Sequence, residues 1–285
     1  MSIKNIKTYE NLKRATEHID DVQIYQEKPL FSHLELNVTE LCNRKCIFCP
    51  RVNEDDYPNQ NLNINIKLIE KIADELKELN YKGEIVLSGF GEPTLNPNIS
   101  QIISILSKSA RVELVTNGDK LNSHKIREYV SSGLKFLAVS MYDGPEQIEK
   151  FKKIFRESNV GEDVFILRDR WHTEEDDFGL KLTNRAGTVN IGNQDPVNTK
   201  SPCYYPLYSM TIDWNGDVLL CVQDWNKKVK VGNLMFSSLY EIWHSSILEK
   251  RRRKLMNGNR CDSPCNKCNV EGTLHGFNHF KYWAK

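Results

Sequence analysis

From residue 31 to residue 167 the chain alternates short β-forming runs with amphipathic helical stretches, and this alternation restricts the fold more than any other feature. Residues 33–38, 84–88, 111–116, 135–140 and 164–167 are expected strands. Between them Ile66, Ile69, Ile72, Ala73, Leu76 and Leu79 recur at helical spacing, and Ile99, Ile102, Ile103 and Leu106 mark the next helix. Residues 123–132 form a third, and Pro145 suits the first turn of a fourth. Such βα units build a parallel sheet whose functional loops gather at the C-terminal ends of the strands. After Arg168 the pattern dissolves into Asp-, Glu-, Asn- and Gly-rich sequence through Lys200, too long for an ordinary connection. Residues 210–213 and 218–222, joined by Trp214-Asn215-Gly216-Asp217, then read as a β-hairpin, and residues 239–255 as one helix.

Eight cysteines fall into two sets: Cys42, Cys46 and Cys49 just past the first strand, and Cys203, Cys221, Cys261, Cys265 and Cys268 in the last third. No apolar export signal or membrane span is evident, so a cytoplasmic protein with reduced thiols is expected, and tight triplets there read as metal ligands rather than disulfides. Three thiolates at one site are informative. Four close a tetrahedral zinc or a four-iron cube, whereas three leave one iron of a cube open to a further ligand. A zinc site would need a fourth ligand such as His33. The 39 Lys and Arg against 38 Asp and Glu give no field that favours nucleic acid or an acidic membrane.

Cys42-x3-Cys46-x2-Cys49, with Phe48 before the last cysteine, resembles the radical S-adenosylmethionine (SAM) enzymes. The resemblance implies that the open iron chelates the amino and carboxylate groups of SAM, and that an electron from the cluster splits the sulfonium to methionine and a 5′-deoxyadenosyl radical. Ser88-Gly89-Phe90-Gly91-Glu92-Pro93 resembles the family's Gly-Gly-Glu-Pro motif with Phe90 inserted. Its glycines are expected to let the backbone approach SAM, with Glu92 accepting from its ammonium. Thr116-Asn117-Gly118 and Ser140 resemble positions that contact the ribose or carboxylate, with capping and turn chemistry as their alternative. Arg168 and Arg170 follow the fifth strand, where a guanidinium can hold the SAM carboxylate bidentately, with surface salt bridging as the alternative, and Asp143 can cap the helix at Pro145.

The second set resembles the auxiliary-cluster domains called SPASM and, in the short form, twitch, through Gly216-x4-Cys221, Gly232-Asn233 and Ile242-Trp243. The short-form pattern implies that Cys203, Cys221, Cys265 and Cys268 hold one [4Fe-4S] cluster. Cys261 is then spare and is assigned as a hydrogen-atom donor to a substrate radical; the alternative makes it a ligand or a packed residue. Residues 250–254 form a basic run expected to be solvated, as are the acidic runs 54–56 and 174–177.

The expected architecture is α/β: an N-terminal extension (1–30), a partial (β/α)6 barrel of TIM type (31–190) and a small auxiliary domain of hairpin plus helix (191–285). The expected cofactors are two [4Fe-4S] clusters and SAM, with a flavodoxin- or ferredoxin-type reductant. A sugar or aminocyclitol-like small molecule is the expected substrate, undergoing dehydrogenation or epimerisation. Peptide modification is the alternative, weakened by the short stretch before the first strand, and a non-catalytic electron carrier is the other.

Overall fold

The computed structural model describes residues 18–175 and 182–285, so Asp176 and Asp177 of the second acidic run lie outside the described residues. Five parallel strands alternate with four helices. They are β1 (His33–Leu36), α1 (Ile66–Glu78), β2 (Glu84–Leu87), α2 (Ile99–Leu106), β3 (Arg111–Thr116), α3 (Ser123–Ser131), β4 (Phe136–Met141), α4 (Glu146–Ser158) and β5 (Phe165–Asp169). Three of the four helices begin where the sequence supplies a start. Asn65 and Asn122 cap α1 and α3 by accepting from Lys67 and Lys125 backbone amides, and Pro145 precedes α4. The apolar stripe of α1, from Leu68 to Leu76, faces the sheet, and every residue of β2 and β4 is buried, as strands covered on both faces require.

β6 (Ser209–Ile212), β7 (Asp217–Leu219) and β8 (Lys230–Asn233) follow. The full sheet runs β8-β7-β6-β1-β2-β3-β4-β5. β6 pairs in parallel with β1, His33 opposite Ser209 through Leu36 opposite Ile212, whereas β7 and β8 are antiparallel. The sixth parallel strand therefore comes from the C-terminal third and sits at the edge of the first. The hairpin expected in a separate cap is instead an extension of the barrel sheet, because the apolar Met210 and Ile212 complete the cluster that contains Leu34 and Leu36.

The single helix expected over 239–255 is two, α5 (Leu239–Trp243) and α6 (Ser246–Met256). Ser245 marks the break: it takes an extended backbone and caps the second helix by accepting from the Leu248 amide, while Ser238 starts the first helix with a capping box to Glu241. The basic run on α6 also departs from expectation. Arg252 is 1% exposed. Its guanidinium lies between Trp243 and Trp283 of the terminal helix α7 (Phe277–Trp283), 3.9 and 4.0 Å from the rings, and donates to the Pro206 and Trp243 carbonyls. Arg251 and Lys254 pair with Asp262.

Candidate active site

Residues following β1 to β5 surround a cavity of about 460 Å³ at the C-terminal end of the strands. Cys42, Cys46 and Cys49 line it together with Phe48, Gly89 to Glu92, Thr116, Asn117, Ser140 and Arg168. The first cysteine set and most of the residues expected around SAM thus share one void. Burial pushes all three thiols up, Cys46 to about 12, so metal loading must displace their protons. Among the described residues no three His, Cys, Asp or Glu side chains converge as one metal ion needs, which leaves the zinc alternative without a formed site. Thiols set around a void suit a four-iron cube, which spreads its ligands over its corners.

The cysteine loop is braced from inside. Arg44, between the first two cysteines, donates through Nε to Asp119 Oδ2 at 2.7 Å, and through Nη1 and Nη2 to Asp143 at 2.6 and 2.7 Å. Its guanidinium stands 5.2 Å from the Tyr142 ring, on which Phe48 also stacks. Asp143 therefore pairs with the cysteine loop rather than capping α4 as expected. The Arg44 hydrogen bond holds its carboxyl below the usual carboxylate range.

The Gly89–Pro93 loop packs against the same segment. A Cβ on Gly91 would meet the Thr39 and Leu41 carbonyls, and the Glu92 amide donates to Leu41 O at 2.7 Å. Gly91 lines the cavity, and its bare Cα also lets the loop approach the backbone that leads into the cysteine loop. Gly89 has φ +118°, and its Cβ would touch Asn37. Glu92 also differs from expectation. Its Oε1 accepts from the Thr94 amide, Thr94 Oγ1 and Thr116 Oγ1, and its Oε2 from the Asn117 amide at 2.8 Å. The carboxylate is 4% exposed and ties the loop after β2 to the loop after β3. Asn117 Nδ2 donates onward to Asn43 in the cysteine loop. Ser140 accepts from Arg168 at 2.8 Å in the same cavity, near Arg170, whose pKa burial and the Arg168 charge push down to about 10.

Cys203, Cys221, Cys265 and Cys268 line a second, smaller cavity with Tyr205, Leu220 and Arg260. Burial raises these thiols too, Cys203 to about 11 and Cys265 to about 12. Gln223 lines both cavities, its Oε1 held by Thr183 Oγ1 at 3.0 Å and its amide donating to Cys221 Sγ at 3.2 Å. Cys261, the expected hydrogen donor, is exposed and lines neither cavity, because its turn follows α6 on the outer surface. All eight cysteines are free thiols.

Sequence reading overlooked several groups. Glu35, Arg51, Tyr142 and Arg185 line the main cavity, and a charged cluster lies beside it. Glu40 accepts from Arg51 and Lys227 at 2.8 and 2.6 Å, and Asp213 from Lys227 and Asn37 at 2.6 and 2.7 Å. Asn37 and Asp213 directly follow β1 and β6, and a polar residue after an apolar strand was the available signal.

Two cysteine sets at the mouth of a partial α/β barrel define a radical enzyme class. The chain belongs to the radical SAM superfamily, whose family pattern matches residues 36–165, and an iron-sulfur cluster-binding domain of the SPASM type matches residues 203–269. It is an enzyme that uses SAM and [4Fe-4S] clusters. More particularly, it is 27% identical over 246 residues to the S-adenosyl-L-methionine-dependent 2-deoxy-scyllo-inosamine dehydrogenase of Niallia circulans, spanning 84% of this chain and 93% of that one. The crystal structure of BtrN in complex with AdoMet and 2-DOIA superposes with a TM-score of 0.73 at 25% identity, over 88% of this chain and 98% of that one. A GTP 3′,8-cyclase from Tolumonas auensis is 32% identical over 115 residues, 39% of this chain and 33% of the cyclase. Among the described residues no helix is long and apolar enough to cross a membrane.

Proposed function

We propose that this chain is a radical SAM dehydrogenase that oxidises a secondary alcohol of an aminocyclitol or a related amino sugar to the ketone. When bound, SAM and the first cluster would supply a 5′-deoxyadenosyl radical able to take the carbinol hydrogen, the hydroxyl proton would go to solvent, and an auxiliary cluster would accept the remaining electron. Cys42, Cys46 and Cys49 would hold the first cluster, and Cys203, Cys221, Cys265 and Cys268 the second. Ser140 and Arg168 offer a hydroxyl and a guanidinium in the cavity that the three cysteines line, suited to a carboxylate. Phe48 and Tyr142 contribute apolar surface that excludes water.

The observation that carries dehydrogenation over epimerisation is the shared wall at Gln223: the second cysteine cavity adjoins the first, whereas the spare thiol Cys261 is exposed away from both. This arrangement supports an electron acceptor held by the second cysteine set over a hydrogen donor at Cys261. The similarity to the Niallia circulans dehydrogenase, over 84% of this chain and 93% of that one, supports the aminocyclitol class. A flavodoxin or ferredoxin of the cytoplasm fits as reductant, since the first cluster needs a low-potential electron donor and cysteine-ligated clusters persist in a reducing compartment.

The test is anaerobic turnover of 2-deoxy-scyllo-inosamine deuterated at the carbinol carbon. The expected result is one 5′-deoxyadenosine carrying deuterium for each ketone formed. An epimerised alcohol carrying solvent hydrogen, or no coupling of 5′-deoxyadenosine to this substrate, refutes the assignment.

A further inference from the structure

Phe90 occupies the place where a simple Gly-Gly pair has no side chain, and its surroundings give that side chain a use. The ring is 2% exposed. It meets Trp225 edge-on, centroids 4.9 Å apart at 84°, and Lys227 Nζ stands 4.8 Å from its centre. Both partners come from the loop that follows Cys221. That loop is tied to the cysteine, since the Gln223 amide donates to Cys221 Sγ and the Asp224 amide to the Cys221 carbonyl at 3.1 Å, and the Lys227 amide then donates to Asp224 O at 2.8 Å. Trp225 is backed by Tyr57, whose hydroxyl donates to Asn226 at 2.7 Å. The backbone of Phe90 is fixed as well, its amide donating to Asn37 Oδ1 at 3.1 Å and its carbonyl accepting from Arg51 Nε.

We propose that Phe90 couples the two cysteine sites: Trp225 and Lys227, placed by the loop after Cys221, hold the Gly89–Pro93 loop in its ligand-ready shape, so that SAM affinity depends on the auxiliary segment. This rests on the reading of that loop as a SAM contact. A loop held before the ligand arrives spares binding the cost of ordering it. The coupling is reciprocal, so SAM must in turn steady the loop after Cys221.

The experiment titrates SAM calorimetrically into iron-loaded wild type, Phe90→Leu, Trp225→Leu and the double variant, with iron content and melting temperature measured on each. Each single change is expected to weaken SAM binding about fivefold, the scale of one edge-on aromatic pair. The double variant is expected to be no weaker than the singles, because both remove one interaction. Hydrogen exchange at residues 223–227 is expected to slow on adding SAM to wild type and to stay unchanged in Phe90→Leu. Losses that multiply to about 25-fold, or unchanged affinity in both singles, overturn the coupling. Gly89→Ala separates the two claims: if it weakens SAM binding while Phe90→Leu does not, only the coupling fails, and if it has no effect the loop itself is misread. Should Phe90→Leu fail to load iron, Trp225→Leu and Lys227→Met carry the same comparison.

Discussion

Gly91→Ala adds one methyl group at the most crowded point of the site. Its Cβ would lie 2.7 Å from the Leu41 carbonyl oxygen and nearer still to that of Thr39. Neither neighbour can rotate away, since both are backbone, and Leu41 O is already held by the Glu92 amide. Restoring a contact of about 3.5 Å requires Leu41 to retreat by about 0.8 Å and Thr39 by more than that, and the next residue is Cys42. Overpacking of this kind costs about 1–3 kcal/mol, which lowers the fraction of chains holding the cysteine loop in its wild-type shape about 5- to 150-fold. Anaerobic reconstitution followed by iron analysis reads the effect. Wild type is expected to bind about eight irons as two cubes, and the variant to fall towards four with weakened SAM binding. Gly89→Ala is the comparison, because its Cβ presses on Asn37 and its φ of +118° adds strain of its own, but it meets neither the Thr39 nor the Leu41 carbonyl among its nearest neighbours, so it should lose less iron. Full iron and undiminished SAM affinity in Gly91→Ala would refute the reasoning.

Changing Cys42, Cys46 and Cys49 together to Ala is expected to leave about four irons and no release of 5′-deoxyadenosine; continued SAM cleavage would reverse the assignment of the two sites. Cys261→Ala is expected to keep both clusters and full turnover, because the thiol is exposed and lines neither cavity. Loss of iron from that variant would make Cys261 a ligand.

The βα alternation was legible because period identifies element type, and the observed β1 to β5 fall within two residues of their expected positions at either end. The cysteine spacing likewise marked both sites, since ligand spacing survives without knowledge of tertiary contacts. What stayed hidden depends on partners far apart in sequence. Nothing in Ser209–Ile212 announces that it will dock on β1, 176 positions earlier at His33 opposite Ser209. Glu92 reads as a ligand for a cation until Thr94, Thr116 and Asn117 are seen to fill its oxygens. Arg252 reads as solvated until two tryptophans from separate helices are brought to its faces.

The placement of β6 has a consequence for how the two sites are held together. The first cysteine loop leaves β1 and the loop bearing Cys221 leaves β7, two strands away in one sheet, so the sheet itself fixes the second site against the first. A fragment ending at residue 200 contains every strand expected of the barrel, yet it removes the neighbour of β1. The Ser32 and Asn37 amides then lose the Tyr208 and Ile212 carbonyls, each at 2.9 Å, and the core loses Met210, Ile212, Val218, Leu239, Ile242 and Trp243. A bare, apolar parallel edge of this kind pairs with other chains instead of water. The fragment is therefore expected to aggregate, to show no cooperative thermal transition and to bind no stable cluster at Cys42, Cys46 and Cys49. Soluble fragment that melts cooperatively and retains about four irons would show that the barrel stands without β6, and the auxiliary segment would then be an appended module.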